Sequence, residues 1–196
     1  MSTMAKPKTK RGQVRRAQIL GAAETVIGSQ GFSASSIVDI TRAAAAAPGT
    51  FYIYFKSKEE LFRELVTEMG LETRATVAQA IVQAPDRLSA ERAGLEAFLR
   101  FVAARPTLYR IVEEARFVDP DAYRSYFAGF ADAYATGLRE AEATGEISPG
   151  DAEVRAWALM GMAKALGDRY VLWDDAPDIS HVVDEAHAMI CKGLAP

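Results

Sequence analysis

From residue 14 to residue 194 the apolar side chains of this chain recur three and four positions apart, and no segment alternates with period two over a useful length. Spacing of that kind gathers them on one face of an α-helix, whereas a half-buried strand needs strict alternation. The sequence therefore predicts an all-α fold of about nine helices. Ile19, Ala23, Val26 and Ile27 mark a first helix over about Val14–Ser29, stopped by Gly31. Ser36 with Asp39 forms a capping box for a short second helix, Ser36–Ala44, which carries Ile37 and Ile40 inward. Pro48 suits the first turn of a third helix over Pro48–Tyr54, because its missing N–H is not needed there. Phe51 and Phe55, four apart, share that helix's inner face. Ser57 with Glu60 opens a longer helix through Leu61, Leu65 and Met69.

Further helical patterns follow. Leu95, Phe98, Leu99 and Val102 form one face up to Pro106, and Leu108, Ile111 and Val112 resume it toward Phe117. Asp119-Pro120 starts a long segment with Tyr123, Tyr126, Phe127, Phe130, Tyr134 and Leu138 at spacings of three and four. After a turn at Gly145–Gly150 come two last helices, about Asp151–Trp173 and Ile179–Leu194.

Charge is distributed unevenly. Residues 1–60 hold nine Lys/Arg against four acidic residues, net +5, while the remainder holds 14 basic and 22 acidic, net −8. Such asymmetry is that of a basic module on an acidic body, or equally of a disordered basic tail that aids solubility. Residues 1–12, with Lys6, Lys8, Lys10 and Arg11 and no apolar face, read as a flexible basic arm. No run approaches the roughly 18 apolar residues of a membrane span. With one cysteine, Cys191, no internal disulfide is available, which suits the cytoplasm. There is no Gly-rich phosphate loop or nucleophile elbow, so neither an enzyme nor a cofactor is expected.

Three short helices ahead of a capped long one outline a helix-turn-helix, in which a small rigid tripod lays one helix in the major groove of double-stranded DNA. The third helix would do so here. Ala47, Pro48, Gly49 and Thr50 at its start are small enough for close backbone approach to base edges. Tyr52 and Tyr54 point their hydroxyls outward, and Lys58 adds charge near the same phosphates. Ser36 can cap its helix and meet a phosphate at once.

The stretch Ile19-Leu20-Gly21-Ala22-Ala23, then Gly31-Phe32, Ser35-Ser36-Ile37-Val38-Asp39-Ile40, and above all Pro48-Gly49-Thr50-Phe51-Tyr52-Ile53-Tyr54-Phe55-Lys56-Ser57-Lys58-Glu59-Glu60-Leu61, resembles the N-terminal signature of the TetR family of repressors. The resemblance is strong over Val14–Phe62 and beyond that covers only the general helical shape. It implies an N-terminal helix-turn-helix domain over residues 13–56 and a larger ligand-binding and dimerisation domain over 57–196. It implies DNA contacts at Ser36, Ala47, Pro48, Gly49, Thr50, Tyr52, Tyr54 and Lys58, and a homodimer joined through its last two helices. One departure stands out: the family usually has Gly-Val where this chain has Ala45-Ala46. A left-handed alanine in that turn costs on the order of 1 kcal/mol.

A small-molecule site needs apolar walls with a few polar anchors. Tyr109, Glu113, Phe117, Tyr126, Phe130 and Trp157 are the candidates, although a stripe at helical spacing is more often core. Pro106–Phe117 and the following Asp119–Tyr126 loosely resemble family members that answer to acyl-coenzyme A. Arg105, Arg110, Arg116 and Arg124 are then candidate phosphate ligands, or equally surface ion-pair partners. A hydrophobic or aromatic carboxylic acid, its coenzyme A ester and a lipophilic toxicant remain comparable effectors. His181, His187, Asp174, Asp175 and Asp178 match no strong metal pattern, so no metal is expected. The expected function is a ligand-responsive repressor on a palindromic operator, the alternative a ligand-independent architectural DNA-binding protein.

Overall fold

Capping residues and prolines set the helix ends. A computed structural model describes residues 7–173 and 178–196, and among these there are nine α-helices and no strand. They are α1 (Lys10–Gln30), α2 (Ile37–Ala43), α3 (Pro48–Tyr54), α4 (Lys58–Ile81), α5 (Arg87–Ala104), α6 (Pro106–Val118), α7 (Pro120–Ala143), α8 (Ala152–Gly167) and α9 (Ile179–Leu194). Lys6 of the expected arm, and Asp174 and Asp175, lie outside the described residues. Thr9 caps α1, its hydroxyl accepting from the Gly12 N–H at 3.2 Å. Asp86, Asp151 and Asp178 cap α5, α8 and α9 in the same way. Pro48, Pro106 and Pro120 each stand at the head of a helix, where a missing N–H costs nothing.

Two boundaries differ from the sequence reading. α1 begins at Lys10 rather than Val14, so Lys10–Gly12, expected in the arm, are helical. A capped helix start needs no apolar residue of its own when the next turns supply the buried face. α8 ends at Gly167, and a π-helical turn over Asp168–Leu172 replaces the straight continuation to Trp173.

The described residues group into two compact units, one of residues 7–70 with 107–126, the other of residues 71–106 with 127–173 and 178–196. In the first, α1 packs on α2 and α2 on α3. Its buried side chains include Ile19, Ala23, Ile40, Phe51, Phe55 and Phe62, and from α6 Leu108, Ile111 and Val112. In the second, α5 packs on α9 and α8. Leu138, Ile147, Ala156, Ile190 and Leu194 lie in one apolar cluster there.

A polar network is sealed into the second unit. Glu91, whose side chain is 2% exposed, pairs with Arg87 at 2.6 Å. It also accepts a hydrogen bond from the Tyr134 hydroxyl. The Arg87 guanidinium lies 5.2 Å from the Tyr134 ring centre. Burial, then the Glu91 charge, push the Tyr134 hydroxyl well above its ordinary titration range. Breaking a buried pair strands the remaining charge. Glu91→Ala is therefore expected to lower the unfolding free energy by about 3–5 kcal/mol in chemical denaturation. Because the raised Tyr134 value makes the unfolded chain the first to lose this proton, its contribution to stability is complete below about pH 10 and declines above that. Denaturation midpoints measured across the alkaline range check the sign.

Candidate nucleic-acid interface

α1 ends at Gly31, which adopts φ 84°, a region closed to most side chains. The chain then turns through Phe32–Ser35 to Ser36. The Ser36 hydroxyl accepts from the Asp39 N–H at 3.1 Å, and the Asp39 carboxylate accepts from the Ser36 N–H at 3.1 Å. This is the reciprocal cap expected from the sequence. The Ser36 hydroxyl and backbone N–H, with Arg42 beside them, hold the Asp39 carboxyl below its ordinary value.

Between α2 and α3 the backbone is held by Ala45 N–H to Arg42 carbonyl at 3.1 Å and Ala46 N–H to Thr41 carbonyl at 2.9 Å. Ala45 takes φ 47°, the one positive φ at a non-glycine position among the described residues. The left-handed conformation anticipated for the Ala45-Ala46 turn is therefore present. Arg15 of α1 donates to the Ala44 carbonyl at 3.4 Å, tying the turn to the first helix.

α3 spans the residues assigned to it from sequence. Phe51 and Phe55 are completely buried, their ring centres 5.5 Å apart. Arg16, paired with Glu64 and Glu68, lies 5.1 Å from the Phe55 ring centre. On the opposite side Tyr52 is 57% exposed, Ala47, Pro48 and Gly49 are exposed, and Thr50 and Tyr54 are half-buried. A side chain added at Gly49 would meet nothing within 4 Å, so the fold itself does not require a glycine there. α3 thus presents a small-residue edge and a phenol to solvent from a backing of two phenylalanines.

Lys58 is placed differently from its sequence reading. Its ammonium donates to the Phe32 carbonyl at 2.8 Å and the Ser35 carbonyl at 2.7 Å, and lies 4.1 Å from the Phe32 ring centre. Two of its three donors are committed inside the corner between α1 and α2. Ser57 caps α4, accepting from the Glu60 N–H at 3.2 Å. The Glu60 carboxylate reaches one residue past the expected partner, to the Lys56 N–H at 2.6 Å.

The candidate ligand residues do not behave as one set. Tyr109 and Tyr126 are buried and Glu113 half-buried in the first unit. Phe130, in the second, is half-buried beneath the Arg74 guanidinium at 5.3 Å. Phe117 is 83% exposed on the last turn of α6, and Trp157 is 46% exposed on α8. Arg105 pairs with Glu72 and Arg124 with Asp121, while Arg110 and Arg116 face solvent. His187 lies 3.0 Å from the Leu88 carbonyl, and the Asp178 carboxylate accepts from the His181 N–H. Glu114 is not among the candidates read from the sequence. Its two carboxylate oxygens lie 2.8 and 2.9 Å from the Phe32 nitrogen. No local pattern announces that contact.

Residues 19–65 match the family model described as bacterial regulatory proteins, tetR family. Among solved structures the chain resembles the transcriptional regulator FadR from Bacillus subtilis in complex with stearoyl-CoA. The two share 22% identity over 89% of this chain and 96% of that one, with TM-score 0.79. It also resembles a TetR-like transcriptional regulator from Rhodococcus sp. RHA1, at 25% identity over 92% and 95% of the chains, TM-score 0.73. A third, AibR in complex with isovaleryl coenzyme A and operator DNA, is 18% identical over 89% and 97%, TM-score 0.72. The likeness of fold therefore runs well beyond the segment that carries the family signature.

The strain at Ala45 is directly measurable. Ala45 is exposed and its conformation suits glycine, so Ala45→Gly should stabilise the fold by about 1 kcal/mol. Thermal denaturation should show a midpoint about 2–4 °C higher.

Proposed function

We propose that this chain, whose residues 19–65 match the family model of bacterial regulatory proteins, tetR family, is a ligand-responsive transcriptional repressor, a cytoplasmic homodimer on a near-palindromic operator. The observation that carries this reading is the two-sided character of α3. Phe51 and Phe55 are withdrawn completely into the fold, while Ala47, Pro48, Gly49 and Tyr52 face solvent. That division suits a helix inserted in a groove, with small residues at the base edges and hydroxyls of Ser36, Thr50, Tyr52 and Tyr54 at the phosphates. Lys58 belongs with the supports of this face, since its ammonium is engaged by the Phe32 and Ser35 carbonyls.

The two-fold partner would cover α8 and α9, where Val154, Trp157 and Met189 are exposed. Trp157, considered first as a ligand contact, suits this face better. Residues 13–56 then form the reading head and residues 57–196 the sensing and dimerising body. An acyl-coenzyme A is the favoured effector. FadR and AibR are each described with such a thioester, and Tyr109, Glu113 and Tyr126 of the first unit supply buried or half-buried aromatic and acidic groups for binding, with Phe130 a separate candidate in the second. Phe117, turned to solvent, is no wall of such a site within one chain. The ligand releases DNA by favouring an arrangement in which the two α3 helices no longer match successive grooves. The matched proteins are regulators, and we assign this chain no reaction.

Selecting bound duplexes from random DNA over a range of salt tests the first half. Two half-sites about 34–36 Å apart, or a multiple of that, are expected, with affinity falling steeply as salt rises. No enriched sequence would remove the repressor reading. Tyr52→Phe should weaken the selected duplex by about 1 kcal/mol, the value of one hydrogen bond. Stearoyl-CoA should weaken wild-type binding roughly 5–150-fold. Unchanged affinity with stearoyl-CoA, isovaleryl-CoA and the free acids alike would leave a ligand-independent architectural protein.

A further inference from the structure

Helix α6 belongs to the same compact unit as the three N-terminal helices and the first turns of α4, and three contacts tie α6 and the residue after it to α1, the α1–α2 connection and α4. Near its start, a Cβ added at Gly28 of α1 would fall 2.8 Å from the Thr107 Cβ, so the two backbones approach closely. Two turns later, Glu114 engages the Phe32 N–H with both carboxylate oxygens. Just past its end, Asp119 pairs with Arg63 of α4 at 2.6 Å and caps α7 through the Ala122 N–H.

The Glu114 charge is placed against a helix dipole. Glu114 brings a carboxylate to the C-terminal end of α1, which disfavours an anion, while Lys58 of α4 carries its ammonium to the same corner. The dipole therefore does not account for Glu114, and its specific hydrogen bonds do. Together Glu114 and Lys58 hold Phe32 from both sides: the anion takes its N–H, and the cation takes its carbonyl and that of Ser35. Phe32 is further seated edge-on against Phe62, ring centres 4.9 Å apart. Ser36, the next residue after Ser35, is the cap from which α2, and then α3, departs.

We propose that Glu114 is a positioning residue for DNA recognition, its carboxylate on the Phe32 N–H acting with Lys58 on the Phe32 and Ser35 carbonyls to fix the corner from which α2 and α3 are launched. The inference rests on the reading of α3 as the helix that enters DNA. Groove contacts tolerate displacements of only a fraction of an ångström, so loosening the corner loses sequence-specific contacts before it loses phosphate attraction. It also gives α6 a direct hold on the reading head: a ligand that draws α6 away must first take Glu114 off Phe32.

The test uses the full chain, the duplex selected by wild-type protein, and a scrambled duplex of the same length and composition. Glu114→Ala is expected to weaken the selected duplex about tenfold, the usual worth of a charge-assisted hydrogen bond, with the scrambled duplex within about twofold. Glu114→Gln keeps one acceptor oxygen and should lose less. Lys58→Met should resemble Glu114→Ala with an unchanged salt slope, and the double variant should be little worse than the poorer single one, because both act on one turn. Amide exchange at Phe32 should accelerate in Glu114→Ala. The proposal is overturned if Glu114→Ala leaves the selected duplex within twofold, or weakens both duplexes equally. It is also overturned if Lys58→Met flattens the salt slope by about one, the mark of a lost phosphate contact. If wild-type protein selects no sequence, the DNA reading fails separately. Amide exchange then decides: acceleration confined to Phe32–Ala43 in Glu114→Ala sustains the positioning role, and unchanged exchange removes it. Should Glu114→Ala not fold, Glu114→Gln is judged by the same criteria.

Discussion

A helix of seven residues does not persist in water by its own hydrogen bonds, because nucleation consumes what so few turns return. α3 exists because Phe51 and Phe55 are removed wholly from solvent. At roughly 25 cal/mol per Å² of apolar surface, two such rings offset a large part of the cost of ordering the short segment. The outer residues are consequently released from most structural duty, Tyr52 keeping an edge-on contact with Phe51, ring centres 5.4 Å apart. Gly49 and Tyr52 can be chosen for what they meet outside the chain, since the fold is secured from within.

Charged residues in the interior serve location more than net stability. A buried ion pair roughly repays its own desolvation, so its main effect is to penalise every other arrangement. Arg16 with Glu64 and Glu68 fixes α1 against α4 beside Phe55. Arg63 with Asp119 fixes the end of α6 against α4. In the second unit Arg87, Glu91 and Tyr134 set α5 against α7. Apolar burial supplies the drive, and these pairs select the register.

The helices were legible because their signals are local. Period and caps place Ser36, Pro48 and Ser57 within one residue of the observed boundaries. The left-handed Ala45 was legible as well, through the resemblance that puts glycine in the same turn. The start of α1 was obscured by its own solvated Lys/Arg turn, which has no apolar residue to register a period. Lys58 illustrates a deeper limit. A lysine beside a DNA-reading helix has a four-carbon stem that can turn either way, and what turns it inward is a pair of carbonyls more than 20 residues earlier. The Glu114 contact spans 82 residues of sequence and leaves no local trace. Phe117 belongs to the same class, since helical spacing says which residues share a side and not what lies against that side.

The close approach of Gly28 to Thr107 has a mechanical meaning. Most helix pairs are separated by side chains that absorb small displacements through rotamer changes. Here one partner offers only a hydrogen, so the joint has almost no compliance. A displacement at the first turn of α6 has little side-chain slack to take it up before it reaches α1.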